Sequence, residues 1–298
     1  MFVKSKIGAA GMILVTGATG HVGRAVVSSL VSSGHEVAAL VRKREAGQGR
    51  LPRETALRVG DYEDASTLKA AFTGVDRLVL ISSDGAVDAV TRHHANAIAA
   101  ATAAGVRHIT FTSIVDIGEN SPFYYAPAYR DAERRLAASG VPSTILRCGL
   151  YSDFILDTWL APASGQLVLP AGQGLVAPVS RDNVAAAVAA VATGAHTSRA
   201  VYTITGGRAL GFNEIAACYG EATARPLRYH PCSLSEYLAS ASARLDEPWP
   251  RAFTTLCASI AEGRYGGVSR DFAILTDRQP ESFRDFLARA MSAMPAEG

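Results

Sequence analysis

Met12-Ile-Leu-Val-Thr16-Gly17-Ala-Thr-Gly20-His-Val-Gly23 is a short apolar run that breaks into three glycines and continues as the amphipathic stretch Val22–Ser33, closed by Gly34. Strand, glycine turn and helix in immediate succession form the local architecture that a dinucleotide pyrophosphate needs. Gly17 permits the tight turn, Gly20 lets the backbone approach a phosphate with no Cβ between them, and Gly23 lets the helix pack close to the strand. The start of the helix adds unspent N–H groups and the positive end of its dipole. Thr19, His21 and Val22 share the loop and are expected to touch the same ligand.

The next strand, Glu36–Val41, ends in Ala39-Leu-Val-Arg42-Lys-Arg44. A carboxylate at this place serves the free ribose hydroxyls of NAD, whereas an arginine suits a 2′-phosphate, which its planar fork can hold through two N–H groups. Three cations and no carboxylate stand here. The cofactor predicted is NADPH, with Arg42 as its chief contact and NADH as the alternative.

Working outward, the strand–helix alternation persists. Strands are expected at Ala56–Val59, Arg77–Ile81, His108–Thr112 and Thr144–Arg147, and helices at Ala65–Phe72, Asp88–Ala104 and Ala128–Ser139. Each of these helices stops at a glycine: Gly74, Gly105 or Gly140. The pattern predicts an α/β doubly wound parallel sheet, the Rossmann arrangement. Asp61 follows the third strand and Ser82-Ser83 the fourth, so all three are expected at the cofactor.

After Tyr151 the rhythm changes. Residues 161–180 are rich in Gly, Pro and Ala and read as loop with a short strand. Ser180 reads as the N-cap of a helix over Asp182–Thr193, and Val201–Thr205 reads as a strand. From Phe212 the chain is mostly helical by pattern, with a short strand near Leu227–Tyr229. The expected division is an N-terminal extension, 1–11; a nucleotide-binding domain, 12–155 plus about 178–205; and a smaller, mostly helical substrate-binding part, 156–177 and 206–298. The cleft between the last two is the expected substrate site.

Composition narrows the class. The 298 residues are 48% hydrophobic and 19% charged with a net charge of +2, which suits a folded enzyme and gives no bulk attraction to nucleic acid. No apolar run reaches the roughly 20 residues of a membrane span, and no leader precedes the glycine loop, so the chain reads as cytoplasmic, with no membrane partner. Cys148, Cys218, Cys232 and Cys257 lack zinc spacing, and no metal site is expected.

Several segments occur in an order that carries a resemblance: the glycine loop, Leu40-Val-Arg42, Gly60-Asp61-Tyr62, Leu80-Ile-Ser-Ser83, Ala104-Gly-Val-Arg-His-Ile109, Phe111-Thr-Ser113, Leu146-Arg-Cys-Gly-Leu-Tyr-Ser-Asp153 and the tail Thr276-Asp-Arg-Gln-Pro-Glu-Ser-Phe283. The chain resembles the NmrA-like, atypical short-chain dehydrogenase/reductase family, nearest its type 2 NAD(P)H:quinone oxidoreductases and triphenylmethane reductases. The resemblance implies direct hydride transfer to a flat, quinone-like or aromatic acceptor, with Ser113, Cys148, Gly149, Tyr151 and Phe154 around the nicotinamide and Ser113 and Tyr151 in catalytic positions. Cys148 departs from the family, where asparagine is common.

Standard short-chain dehydrogenases protonate a carbonyl with a Tyr-x-x-x-Lys pair, the lysine lowering the tyrosine pKa. Here the tyrosine falls at Tyr125 and the lysine position at Tyr129. Pro127 opens the following helix and leaves Tyr125 in the loop before it. Tyr125 is therefore carried as a catalytic candidate without its cation, and Tyr125, Tyr129, Tyr151 and Phe154 as substrate contacts. Two other functions stay open: a carbonyl or ene reductase of polycyclic aromatic biosynthesis that uses Tyr125, and a non-catalytic NADP-binding redox sensor of NmrA type with a protein partner. A homodimer is also left open. His93 and His94 read as structural or surface residues, and Trp249 and Phe253 as core, with lining of the cleft as their alternative use.

Overall fold

The computed structural model describes residues 11–160, 164–194 and 200–293. Of the expected extension, only Gly11 lies within them. The strands are β1 (Ile13–Val15), β2 (Val37–Val41), β3 (Ala56–Val59), β4 (Arg77–Leu80), β5 (His108–Ile114), β6 (Ser143–Cys148), β7 (Gln166–Leu169), β8 (Leu175–Val176), β9 (Val201–Ile204), β10 (Leu210–Gly211) and β11 (Arg228–Pro231). The helices are α1 (His21–Ser32), α2 (Arg44–Gly47), α3 (Ala65–Phe72), α4 (Val87–Ala103), α5 (Ala126–Ala138), α6 (Ser152–Trp159), α7 (Arg181–Ala192), α8 (Phe212–Thr223), α9 (Leu234–Ser242), α10 (Trp249–Ala261), α11 (Asp271–Thr276) and α12 (Phe283–Ala293).

Seven strands form one parallel sheet in the order β3-β2-β1-β4-β5-β6-β9. This is the doubly wound Rossmann arrangement. Helices cover both faces, which is why β1 and β2 are buried along their whole length and read as unbroken apolar runs. α1 buries Val22, Val26, Val27 and Leu30, one stripe at helical spacing, and lies against α7. Strand order reverses at β1, between β2 and β4, and such a reversal opens a crevice at the carboxyl ends of the strands.

A second core, with Trp159, Leu167, Phe212, Ile215, Leu256 and Phe286 in it, lies beside the sheet. It is built on α6, α8, α10 and α12 together with two small sheets, β7 beside β11 in parallel and β8 against β10 in antiparallel. Here the structure departs from the expected division. Phe272 and Leu275 of α11 are buried in the core of the main sheet, packed on α7 and β9, although α11 lies within 206–298. Among the described residues no helix is long and apolar enough to cross a membrane.

His94 on α4 is 1% exposed and its Nε2 lies 2.8 Å from the Ser82 hydroxyl. Burial lowers its pKa to about 4, below the roughly 6.5 of an exposed histidine. Between those values the unfolded chain holds the extra proton. The contribution is therefore complete above pH 6.5 and is lost as pH falls toward 4, by about 1.4 kcal/mol per pH unit. Urea melts at pH 7, 6 and 5 are expected to show this fall, and His94→Gln to lessen it, the remainder coming from the buried His108, whose pKa desolvation also lowers to about 4.

Candidate active site

A cleft of about 900 Å³ runs along the carboxyl ends of the strands. Every residue expected at the cofactor from the glycine loop lines it: Gly17, Thr19, Gly20, His21, Val22 and Gly23. Gly17 has φ +58°, a conformation that disfavours any side chain. A Cβ on Gly23 would lie 2.7 Å from Ala18 Cα and closer still to the Gly17 carbonyl oxygen, so α1 can approach the strand only with glycine there. α1 starts at Gly20 with no side-chain cap, which leaves its first-turn N–H groups facing the cleft. The His21 ring is turned aside: Nε2 meets Asp182 at 3.2 Å and Nδ1 lies 3.9 Å from Asp153, so the side chain ties the start of α1 to α6 and α7.

At one end of the cleft stands Arg42, exposed, beside Ala46. Among the described residues no hydrogen bond or ion pair occupies its guanidinium. Its neighbours do not share the cleft: Lys43 is the N-cap of α2 and Arg44 its first residue. Asp61 lines the same end, where its carboxylate accepts from the Glu63 backbone N–H at 3.1 Å. Tyr62 donates to the Ile81 carbonyl at 3.2 Å and stacks on His93, with ring centroids 5.4 Å apart.

Ser82 and Ser83 follow β4 over the middle of the cleft, each held by a histidine of α4. Ser82 Oγ lies 2.8 Å from His94 Nε2, and Ser83 Oγ lies 2.8 Å from His93 Nδ1. His93 Nε2 in turn meets Glu63 at 3.0 Å. His93 lines the cleft itself, which the sequence reading did not anticipate. Nothing local in the sequence marks this pairing, because α4 docks over the end of β4 only in the folded chain.

The deep end holds Ser113, Tyr125, Tyr129, Cys148, Gly149, Tyr151 and Phe154 together. Ser113 is 2% exposed and its hydroxyl donates to Glu133 Oε1 at 2.7 Å. Glu133 is clamped by Arg147, Nε to Oε1 at 3.0 Å and NH2 to Oε2 at 2.6 Å, and this pairing raises the arginine pKa. With its proton committed to Glu133, Ser113 meets the cleft as an acceptor. Cys148 is buried and its pKa is pushed up to about 12 by desolvation, so the thiol is neutral.

Tyr125 is the N-cap of α5, ahead of Pro127. Its hydroxyl donates to the Gly85 carbonyl at 2.6 Å, and burial raises its pKa well above the usual value. Arg130, one helical position past Tyr129, points away and donates to the Ile117 and Gly118 carbonyls. Tyr129 is partly buried, and desolvation pushes its pKa up to about 12. The Tyr151 ring lies under the Arg181 guanidinium at 5.6 Å.

Trp249 and Phe253 wall the outer part of this end with Phe154, and Phe253 packs against the second core as well; the Phe154 and Phe253 rings meet edge to face at 5.2 Å. The face of α10 that carries Trp249, Phe253 and Leu256 bounds the cleft. An anion-ready helix start lies in the middle, a free arginine at one end and an apolar aromatic chamber at the other. That arrangement fits an extended dinucleotide with its nicotinamide toward Ser113 and Tyr151.

Residues 17–194 match the NAD(P)H-binding family. The chain is 34% identical to quinone oxidoreductase 2 of Escherichia coli strain K12, over 77% of this chain and 80% of that protein. It is 33% identical to the (4-alkanoyl-5-oxo-2,5-dihydrofuran-3-yl)methyl phosphate reductase of Streptomyces griseus, over 96% of this chain and 100% of that one. Among solved structures, an NADPH-dependent quinone oxidoreductase of Escherichia coli complexed with NADPH superposes with a TM-score of 0.86 at 30% identity, covering 94% of this chain and 99% of that chain. The chain belongs to the NAD(P)H-binding family and is an NAD(P)H-dependent oxidoreductase.

Proposed function

We propose that the protein is an NADPH-dependent reductase that passes hydride directly to a flat conjugated acceptor, a quinone or a cyclic enedione. The observation that carries this reading is the deep end of the cleft. Its outer wall is aromatic and apolar, shaped for a flat ring, and its one tyrosine in the dehydrogenase position has no cation to make it an acid. Two of the relatives agree in acceptor chemistry, since a quinone and an alkanoyl-oxo-dihydrofuran are both rings with a C=C conjugated to C=O.

When bound, the cofactor supplies a hydride from its reduced nicotinamide. The chain's own residues position and shield. Arg42 holds the 2′-phosphate, and the α1 N-terminus holds the pyrophosphate. Ser82 and Ser83 are fixed by their histidines along the path between them. Phe154, Trp249 and Phe253 exclude water and stack the acceptor, which raises the effective concentration of the two reacting rings.

The test is NADPH oxidation with a panel of benzoquinones, naphthoquinones and cyclic enediones. Turnover on some of them is expected, and none on any would overturn the reading. Tyr125→Phe separates it from a carbonyl reductase. Direct transfer predicts kcat/KM within about twofold of wild type, whereas an essential acid predicts a loss of 100-fold or more. Tight NADPH binding with no turnover on any acceptor would favour the redox sensor.

A further inference from the structure

Four tyrosines line the deep end of the cleft. The Tyr125 hydroxyl is committed to the Gly85 carbonyl, the Tyr129 ring packs against His94 and Phe111, and the Tyr151 ring lies under the Arg181 guanidinium. The fourth, Tyr265, follows α10 in the segment Gly263-Arg-Tyr-Gly-Gly267. It is 4% exposed, and among the described residues its hydroxyl has no hydrogen-bond partner. A tyrosine this deep ordinarily finds one. The ring is not sealed in the core: it lines both the cleft and a second cavity of about 460 Å³.

Its position is fixed by neighbours that leave the hydroxyl alone. The Ala177 N–H donates to the Tyr265 carbonyl at 3.0 Å, and the ring meets Phe123 edge-on, with centroids 6.5 Å apart. A Cβ on the next residue, Gly266, would lie 3.1 Å from Leu175 Cβ, so the backbone packs closely there. Asp116, 3% exposed and bonded to Ser121 and Ser259, stands near the ring. Burial and that carboxylate both hold the phenol in its protonated form.

We propose that the Tyr265 hydroxyl donates a hydrogen bond to a carbonyl oxygen of the acceptor and is a catalytic residue for quinone and enedione substrates. This rests on the reductase reading above. Hydride, with both its electrons, forms a new bond to the acceptor, a conjugated π bond breaks, and negative charge collects on the carbonyl oxygen. The tyrosine hydrogen bond strengthens as that charge grows. Tyr265 keeps its proton throughout; water supplies the one that completes the product, and NADP⁺ is left.

Tyr265→Phe tests this. The substitution keeps the ring and removes a hydroxyl that no protein group uses, so melting temperature and NADPH affinity are expected to be unchanged. kcat/KM for a naphthoquinone is expected to fall about 10- to 100-fold. A cationic triarylmethane dye, which accepts hydride at carbon and has no carbonyl, is expected to react at the wild-type rate. An unchanged quinone rate, or an equal loss on quinone and dye, would overturn the assignment; the quinone rate decides if the dye is inert. Wild-type enzyme that turns over no quinone would instead overturn the reductase reading itself.

Discussion

Arg42→Ala is expected to weaken NADPH binding about 10- to 100-fold and to leave NADH binding within twofold. The guanidinium stands in the cleft at the end of β2, exposed, with no protein partner among the described residues to hold it elsewhere. A charge-assisted, two-pronged hydrogen bond to a phosphate contributes roughly 1.5–3 kcal/mol, which is that range of affinity. NADH has no 2′-phosphate and forgoes nothing. Lys43 and Arg44 cannot take over, because they belong to α2 and do not line the cleft. Paired titrations of both cofactors against wild type and variant measure the effect as a ratio, which cancels any general damage to the fold. A parallel loss for NADH would show that Arg42 supports the site rather than reading the phosphate. Since the interaction is electrostatic and exposed, the NADPH preference should also shrink as salt is raised.

Most of the sheet was legible because parallel strands covered on both faces are written as short apolar runs. β3 has the expected bounds, and β1, β2 and β4 lie within one residue of theirs at each end. The cofactor half of the cleft was legible for the same reason. Gly17–Gly23, Arg42, Asp61, Ser82 and Ser83 follow the ends of these strands, so finding the strand places the residue. α6 was not anticipated: Ser152–Trp159 is two turns long and comes after the glycine rhythm stops. Its Asp153 spends its carboxylate on the Arg181 N–H of α7, a partner 28 positions away.

The acceptor half was much less legible. α10 is amphipathic, but an apolar stripe such as Trp249, Phe253 and Leu256 reads the same whether it meets a core or a cavity. How α10 docks beside α6 decides the matter, and that is a tertiary event. Tyr265 carried no sequence signal either. What distinguishes it is a hydroxyl left without a partner, and that can be known only once the neighbours are in place.

Gly23→Ala and Gly20→Ala are expected to fail differently, and the difference tests the glycine loop as a phosphate cradle. A methyl on Gly23 would collide with backbone, the Gly17 carbonyl and Ala18 Cα, and backbone cannot rotate out of the way as a flexible side chain can. α1 would have to retreat from β1, yet its other side is packed on α7 in the main core. Overpacking of this kind costs about 1–3 kcal/mol, so Gly23→Ala should lower the melting temperature and, by withdrawing the helix start from the pyrophosphate, weaken NADPH binding at least about 100-fold. Gly20 sits at φ −77°, which alanine adopts readily, and a Cβ there would lie 3.3 Å from the Gly17 carbonyl oxygen, tight but tolerable with a small shift. Its methyl would point into the exposed mouth of the loop, where a phosphate must come close. Gly20→Ala should therefore melt near wild type and still lose most NADPH affinity. If both variants melted normally and bound NADPH normally, the cofactor would have to lie somewhere other than on this loop. If Gly20→Ala lost stability as well as binding, the glycine would be serving the fold and not the ligand.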